Sequence, residues 1–256
     1  MYTKLIKPFL QDSKKFILDT LFPILCLSCE KEGDFICADC KSLIKKLEHQ
    51  RCIVCQKPTP FGLTHPGCQT PHGADGLISF YDYHDDKVSN IIIKGKYSFL
   101  PGVYKILGAM IADSLRSQYP NLSPEVLTKG GILISNNIRL APIPLHPWRR
   151  RWRGFNQAEV LCQTLSAKLN LPVVDVLIRK KITKTQKDLK KDQRLKNVDG
   201  AFSLSPKILN HKSEILNRNF ILVDDVTTTG ATLQEAAKVL KRNGAAKVIC
   251  LTVARD

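Results

Sequence analysis

Phe220-Ile-Leu-Val-Asp-Asp-Val-Thr-Thr-Thr-Gly-Ala-Thr232 is the stretch on which the reading of this chain turns. Its first four residues have the composition of a short buried strand. That strand delivers two adjacent carboxylates, Asp224 and Asp225, at its carboxyl end. A loop of hydroxyls and glycine follows, with Thr227, Thr228, Thr229, Gly230, Ala231 and Thr232, and runs into a helix predicted over Leu233 to Leu240. Asn243 and Gly244 close that helix. Ligands of open parallel sheets bind at this edge. Gly230 lets the backbone approach a phosphate closely, and the free amides and positive dipole of a helix start attract its charge. Two acids beside such a cradle make sense if they hold sugar hydroxyls or Mg²⁺ rather than a second anion. A simple helix cap accounts for one Asp and one Thr, but not for the apolar run, acid pair, Thr-Gly loop and helix together.

Working outward, strands are predicted at Leu77–Tyr83, Ile138–Ile143 and Val248–Val253. Helices are predicted from Lys87–Ile93, across Tyr104–Leu115 and over Gln157–Leu169. Strands alternating with helices imply an α/β domain over 75–256, a central, mostly parallel sheet flanked by helices. Before it, 22–74 is punctuated by Cys, Pro, Gly and His and holds too few apolar residues to fold without a staple. At the start, Leu5, Ile6, Phe9, Leu10, Phe16, Ile17 and Leu21 recur at helical intervals among lysines, which predicts an amphipathic helix over 1–21. Such a helix either lies on a membrane surface or, more commonly, packs on protein.

Seven of the nine cysteines fall between Cys26 and Cys68. No run is apolar and long enough to span a bilayer, and the start lacks the apolar core and cleavage site of a secretory signal. The expected compartment is the cytoplasm. There a disulfide scaffold is disfavoured and metal binding becomes the reading of clustered cysteines. Cys26 and Cys29 form one C-x-x-C knuckle and Cys37 and Cys40 a second, a tetrahedral zinc set. Cys52, Cys55, His65 and Cys68 form another pairing with the same internal spacing, His65 being the natural fourth ligand. With four protein ligands each, both sites are structural. Cys162 and Cys250 lie in helix and strand patterns and read as packing residues.

The chain of 256 residues carries a formal charge of +16, which favours polyanionic partners. Part of that charge lies in Ala141-Pro-Ile-Pro-Leu-His-Pro-Trp-Arg-Arg-Arg-Trp-Arg-Gly-Phe-Asn-Gln157. Arg149, Arg151 and Arg153 follow a strand end, within reach of a pyrophosphate through forked, charge-assisted bonds. Trp148 and Trp152 interleave with them, placed either to stack on bases or to anchor the loop to the core. A further basic stretch runs from Arg179 to Asn197.

The acid-pair segment resembles the phosphoribosyl pyrophosphate signature of type I phosphoribosyltransferases. The resemblance implies that Asp224 and Asp225 hold the ribose hydroxyls and that Thr227 to Thr232 surround the 5′-phosphate. The Pro-x-Pro-Leu-His…Arg-Gly-Phe-Asn-Gln stretch is similar to that of the competence protein ComF family. So is the order of parts: zinc ribbon, Lys96-Tyr97, arginine loop, Thr185-Gln186…Arg194…Asn197…Ala201-Phe202, then the acid-pair loop. The likeness implies Lys96, Arg149, Arg151 and Arg153 on pyrophosphate, with Mg²⁺ accompanying it, and places 179–196 where relatives keep a mobile loop. It further implies single-stranded DNA and a helicase or DNA-processing protein as partners. Purine-salvage relatives often carry an Asp where this chain has Thr228, and nothing else marks a nucleobase pocket. Ligand binding is therefore the expectation, and turnover on an unidentified acceptor the alternative, with no catalytic residue assigned.

Overall fold

The protein is described here by a computed structural model covering residues 23–118, 137–181, 198–209 and 212–256. The helix expected over 1–21, and the part of the basic stretch at 182–197, lie outside the described residues. The chain divides into two compact units, 1–44 and 45–256. In the first, helix α1 (Ala38–Leu43) begins at Cys37, whose Sγ accepts a hydrogen bond from the Cys40 amide at 3.4 Å. The turn and helix thereby hold Cys37 and Cys40 as one knuckle.

The second unit is built on a four-stranded parallel sheet. Strands β1 (Gly76–Asp82), β2 (Ile138–Pro142), β5 (Asn219–Thr227) and β6 (Lys247–Arg255) lie in the order β1-β6-β5-β2. The two central strands carry unbroken apolar runs, Phe220–Val223 and Val248–Leu251, as strands covered on both faces do. Phe220, Leu222, Val223, Val248, Cys250 and Val253 are fully buried. Between β1 and β2 run helices α2 (Asp86–Tyr97) and α3 (Pro101–Gln118), the first capped by Asp85 accepting from the Lys87 amide at 2.8 Å. Helix α4 (Pro147–Arg153) carries the arginines and α5 (Gln157–Leu169) follows, capped by Asn156 and stopped at Asn170 in the left-handed region. A small antiparallel pair, β3 (Leu177–Arg179) with β4 (Phe202–Leu204), stands apart from the main sheet. Helix α6 (Ala231–Arg242) links β5 to β6, and a single turn at Pro206–Leu209 completes the set. Leu233, Ala236, Ala237 and Leu240 bury one face of α6 against the sheet.

Every strand and helix predicted from residue 77 onward is present, Gln157–Leu169 with its predicted bounds and the others with one or both ends displaced. One displacement matters to function. Strand β5 continues four residues past Val223, to Thr227, pairing Asp224 with Thr252, Val226 with Ala254 and Thr227 with Arg255 on β6. Val226 and Thr227 are β-branched and suit a pleated neighbour. The acid pair thus stands inside the last turn of a strand, and the loop shrinks to Thr228, Thr229 and Gly230.

Candidate functional site

The two cysteine sets pass the geometric test for zinc. The ligand atoms of Cys26, Cys29, Cys37 and Cys40 lie within 4.8 Å of one another, as do those of Cys52, Cys55, His65 and Cys68. Zn–S bonds of about 2.3 Å put tetrahedral sulfurs roughly 3.8 Å apart, so both clusters are the right size. His65 presents Nδ1 to Cys55 Sγ at 3.2 Å, while its Nε2 lies 3.1 Å from the Pro58 carbonyl. An Nε2–H donated to Pro58 leaves the Nδ1 lone pair for the metal, the usual way a ligand histidine is oriented. Both sets are therefore structural zinc sites with no open position.

The second set is tied to the sheet rather than standing off it. Arg255, at the end of β6, donates from Nη1 to the Arg51 carbonyl at 2.7 Å and from Nη2 to the Cys52 carbonyl at 3.3 Å and to Gln56 Oε1. Ile53, between ligands Cys52 and Cys55, is 1% exposed and packs against Gly230. A Cβ on Gly230 would stand 2.6 Å from Ile53 Cγ1, and its φ of +77° is one that glycine alone adopts freely. Nothing in the order of residues signals that the knuckle and the loop meet.

At the loop, Gly230 ends the strand-to-helix turn and Ala231 opens α6, where the Ala231 amide donates to Thr229 Oγ1 at 3.4 Å. Thr227, buried, completes the strand. Thr228 Oγ1 is buried without a hydrogen-bond partner among the described residues, although buried hydroxyls nearly always have one. An incoming anion oxygen at the helix start is a natural partner. Asp224 is half-buried and its carboxyl is pushed up to about 7, first by burial and then by the charge of Asp225. Asp225 is buried, and its Oδ2 forms an ion pair with Lys96 Nζ at 2.7 Å.

Arginines face these acids from two elements. On α4, Arg149 and Arg153 are four residues apart on one helix face. Burial, then the neighbouring Arg153, lowers the pKa of Arg149. Arg179, on β3, is likewise lowered by burial and then by Arg149, with the charge of Asp224 opposing. Its guanidinium lies 5.3 Å from the centre of the Phe202 ring. Arg153 Nε is buried without a partner among the described residues. Half-buried cations repelling one another beside a hydroxyl loop form a site that an anion would relieve. The structure thus brings Lys96, Arg149, Arg153, Asp224, Asp225 and the Thr-Gly loop together. Arg151 is exposed on another face of α4. Arg179 was visible in the sequence only as the opening of a basic stretch.

Comparison with known proteins agrees with this architecture. The double zinc ribbon domain family matches residues 17–69 and the phosphoribosyl transferase domain family residues 156–256. Competence protein F of Haemophilus influenzae is 38% identical over 117 residues, 45% of this chain and 49% of that protein. DNA utilization protein YhgH of Escherichia coli K12 is 41% identical over 113 residues, 43% and 46% respectively. In these two the chain spans about half the length of the relative. Competence protein ComFC of Bacillus subtilis is 29% identical over 235 residues, 88% of this chain and 86% of that protein. Among solved structures, the glutamine phosphoribosylpyrophosphate amidotransferase of Bacillus subtilis aligns with a TM-score of 0.33 at 14% identity, covering 59% of this chain and 26% of that one.

Proposed function

From the premise that this chain is a ComF-type homologue, a double zinc ribbon ahead of a phosphoribosyltransferase-type domain, we propose that it serves DNA uptake and holds phosphoribosyl pyrophosphate at the end of β5. One observation carries the reading. An acid pair, a loop with an orphaned buried hydroxyl and converging arginines meet where a central strand hands over to its helix. Asp224 and Asp225 suit ribose hydroxyls, Thr228 to Thr232 the 5′-phosphate, and Arg149, Arg153 and Arg179 the pyrophosphate. Mg²⁺ would supply further neutralisation of the pyrophosphate. Lys96, paired with Asp225 in the free protein, becomes available to phosphate oxygens when the acids turn to the sugar. On this reading the protein works in the cytoplasm, with single-stranded DNA and a helicase or other DNA-processing protein as partners. Among the described residues no helix is long and apolar enough to cross a membrane.

Calorimetric titration with phosphoribosyl pyrophosphate and Mg²⁺ tests the cradle. Wild type is expected to bind, and Asp225→Ala to bind at least about tenfold more weakly, since it removes a charged acceptor assigned to the ribose hydroxyls. Absence of binding by wild type would remove the reading.

The arginine trio also favours a second reading, a working transferase. An acceptor nitrogen would attack ribose C1 with its lone pair, the C1–O bond would break, and pyrophosphate would leave with that electron pair while the acceptor proton passed to solvent. Preorganised cations stabilise the leaving charge. Pyrophosphate release in an acceptor screen, abolished by Asp224→Ala, would establish it.

A further inference from the structure

The sequence left Trp148 and Trp152 with two roles, anchoring or stacking. Their exposure separates the two. Trp148 is 61% exposed and Trp152 50%, so neither ring belongs to the core. Trp152 also stands edge-on to two more exposed rings, Phe99 at 5.5 Å and Tyr97 at 6.2 Å between centroids. Large aromatic residues gathered on a surface in this way mark a binding face. Phe99 adds a further sign. Its φ of 56° is a conformation that glycine normally supplies after a helix, so a bulky ring is held there at a cost in strain.

Charge identifies the occupant. On α4, positions 148, 151 and 152 share one face, so the exposed Arg151 flanks the two indoles. Arg150 is exposed nearby and paired with Glu159, and Lys94 is exposed on α2. Rings interleaved with cations offer stacking faces for bases and counter-charge for a phosphate backbone, the chemistry of sequence-tolerant single-strand binding. A duplex hides its base faces and would use the charge alone. The platform also adjoins the cradle, because Lys96, the neighbour of Tyr97, forms the ion pair with Asp225.

We propose that the face formed by Trp148, Arg151 and Trp152 with Tyr97 and Phe99 is the stacking platform on which this chain carries single-stranded nucleic acid. This deepens the DNA-handling reading and rests on it.

Both tryptophans of the chain lie on this face, so tryptophan emission reports on it alone. The full chain is titrated at low salt with oligodeoxythymidine of about 16 nucleotides. Tryptophan emission and the anisotropy of a labelled oligomer are followed together. The expected result is quenching that saturates in step with anisotropy. A Trp148→Ala/Trp152→Ala variant, checked for an unchanged melting temperature, should bind about tenfold or more weakly, and the double Trp→Phe variant should recover most of the loss. Arg151→Gln should reduce the slope of log affinity against log salt by about 0.7. Full-affinity binding with unchanged emission and no effect of the alanine variant would overturn the platform while leaving DNA handling intact. No anisotropy change at low salt would overturn both. Equal affinity and quenching with duplex, or quenching by anionic phosphatidylglycerol vesicles and not by the oligomer, would also overturn it.

Discussion

Asp224 is the residue whose chemistry most depends on its surroundings. Its carboxyl, ordinarily near 3.8, is pushed up to about 7 by burial and then by Asp225. In the free folded chain the protonated form is therefore held to higher pH than in an exposed carboxyl. Its contribution to stability is complete below the ordinary carboxylate range and drains away as pH rises toward about 7. Replacing it with Asn should remove that drain: between about pH 5 and pH 8, wild type should lose more melting temperature than Asp224→Asn. Ligand binding should run the other way. If ribose hydroxyls or Mg²⁺ require the carboxylate, affinity for phosphoribosyl pyrophosphate should strengthen as pH rises through neutrality. In Asp225→Asn that rise should move to lower pH, because the repelling charge is gone. Calorimetry across this range checks both signs. The place of Asp224 directly after an apolar run was legible in the sequence. Its raised pKa was not, because it arises from burial and from the fixed direction of two neighbouring carboxylates.

At the scale of elements, the informative contact is between a zinc knuckle and the Thr-Gly loop. Ile53 is held between two metal ligands on one side and fills the space over Gly230 on the other. The second zinc site thereby braces the turn from β5 into α6. Ile53→Ala should cost about 2–5 kcal/mol and, unlike a remote core truncation of equal cost, also weaken phosphoribosyl pyrophosphate binding. Thermal melts paired with calorimetry separate the two effects. Gly230→Ala should be worse still, being forced into a left-handed backbone against Ile53. The elements themselves were readable, since central parallel strands are apolar runs and α6 has a clean helical stripe. The end of β5 was misplaced because hydrophobicity stops at Val223 while the ladder of hydrogen bonds to β6 does not.

Taken whole, the chain distributes its metal sites between units. Cys26, Cys29, Cys37 and Cys40 belong to unit 1–44, whereas Cys52, Cys55, His65 and Cys68 belong to the unit that carries the sheet, 45–256. The two sites should then differ in consequence. Metal analysis should find about two Zn²⁺ per chain and one in either Cys26→Ser or Cys52→Ser. Cys52→Ser should lower the melting temperature of the sheet and weaken ligand binding more than Cys26→Ser, because its site meets Arg255 and Gly230. Equal losses in the two variants would contradict this division.

What the sequence by itself determined is whatever depends on local order. It specified two tetrahedral ligand sets through pairs two residues apart, an α/β sheet through alternating apolar runs and helical stripes, and a strand-to-helix loop through acids, threonines and a glycine in succession. The tertiary structure alone decided what depends on residues far apart along the chain. Folding set Ile53 on Gly230, Lys96 on Asp225 and Arg179 beside Arg149, and left the tryptophans of α4 facing water. Each is a matter of which surfaces pack together and which charges lose their solvent, and no spacing along one strand of sequence encodes that.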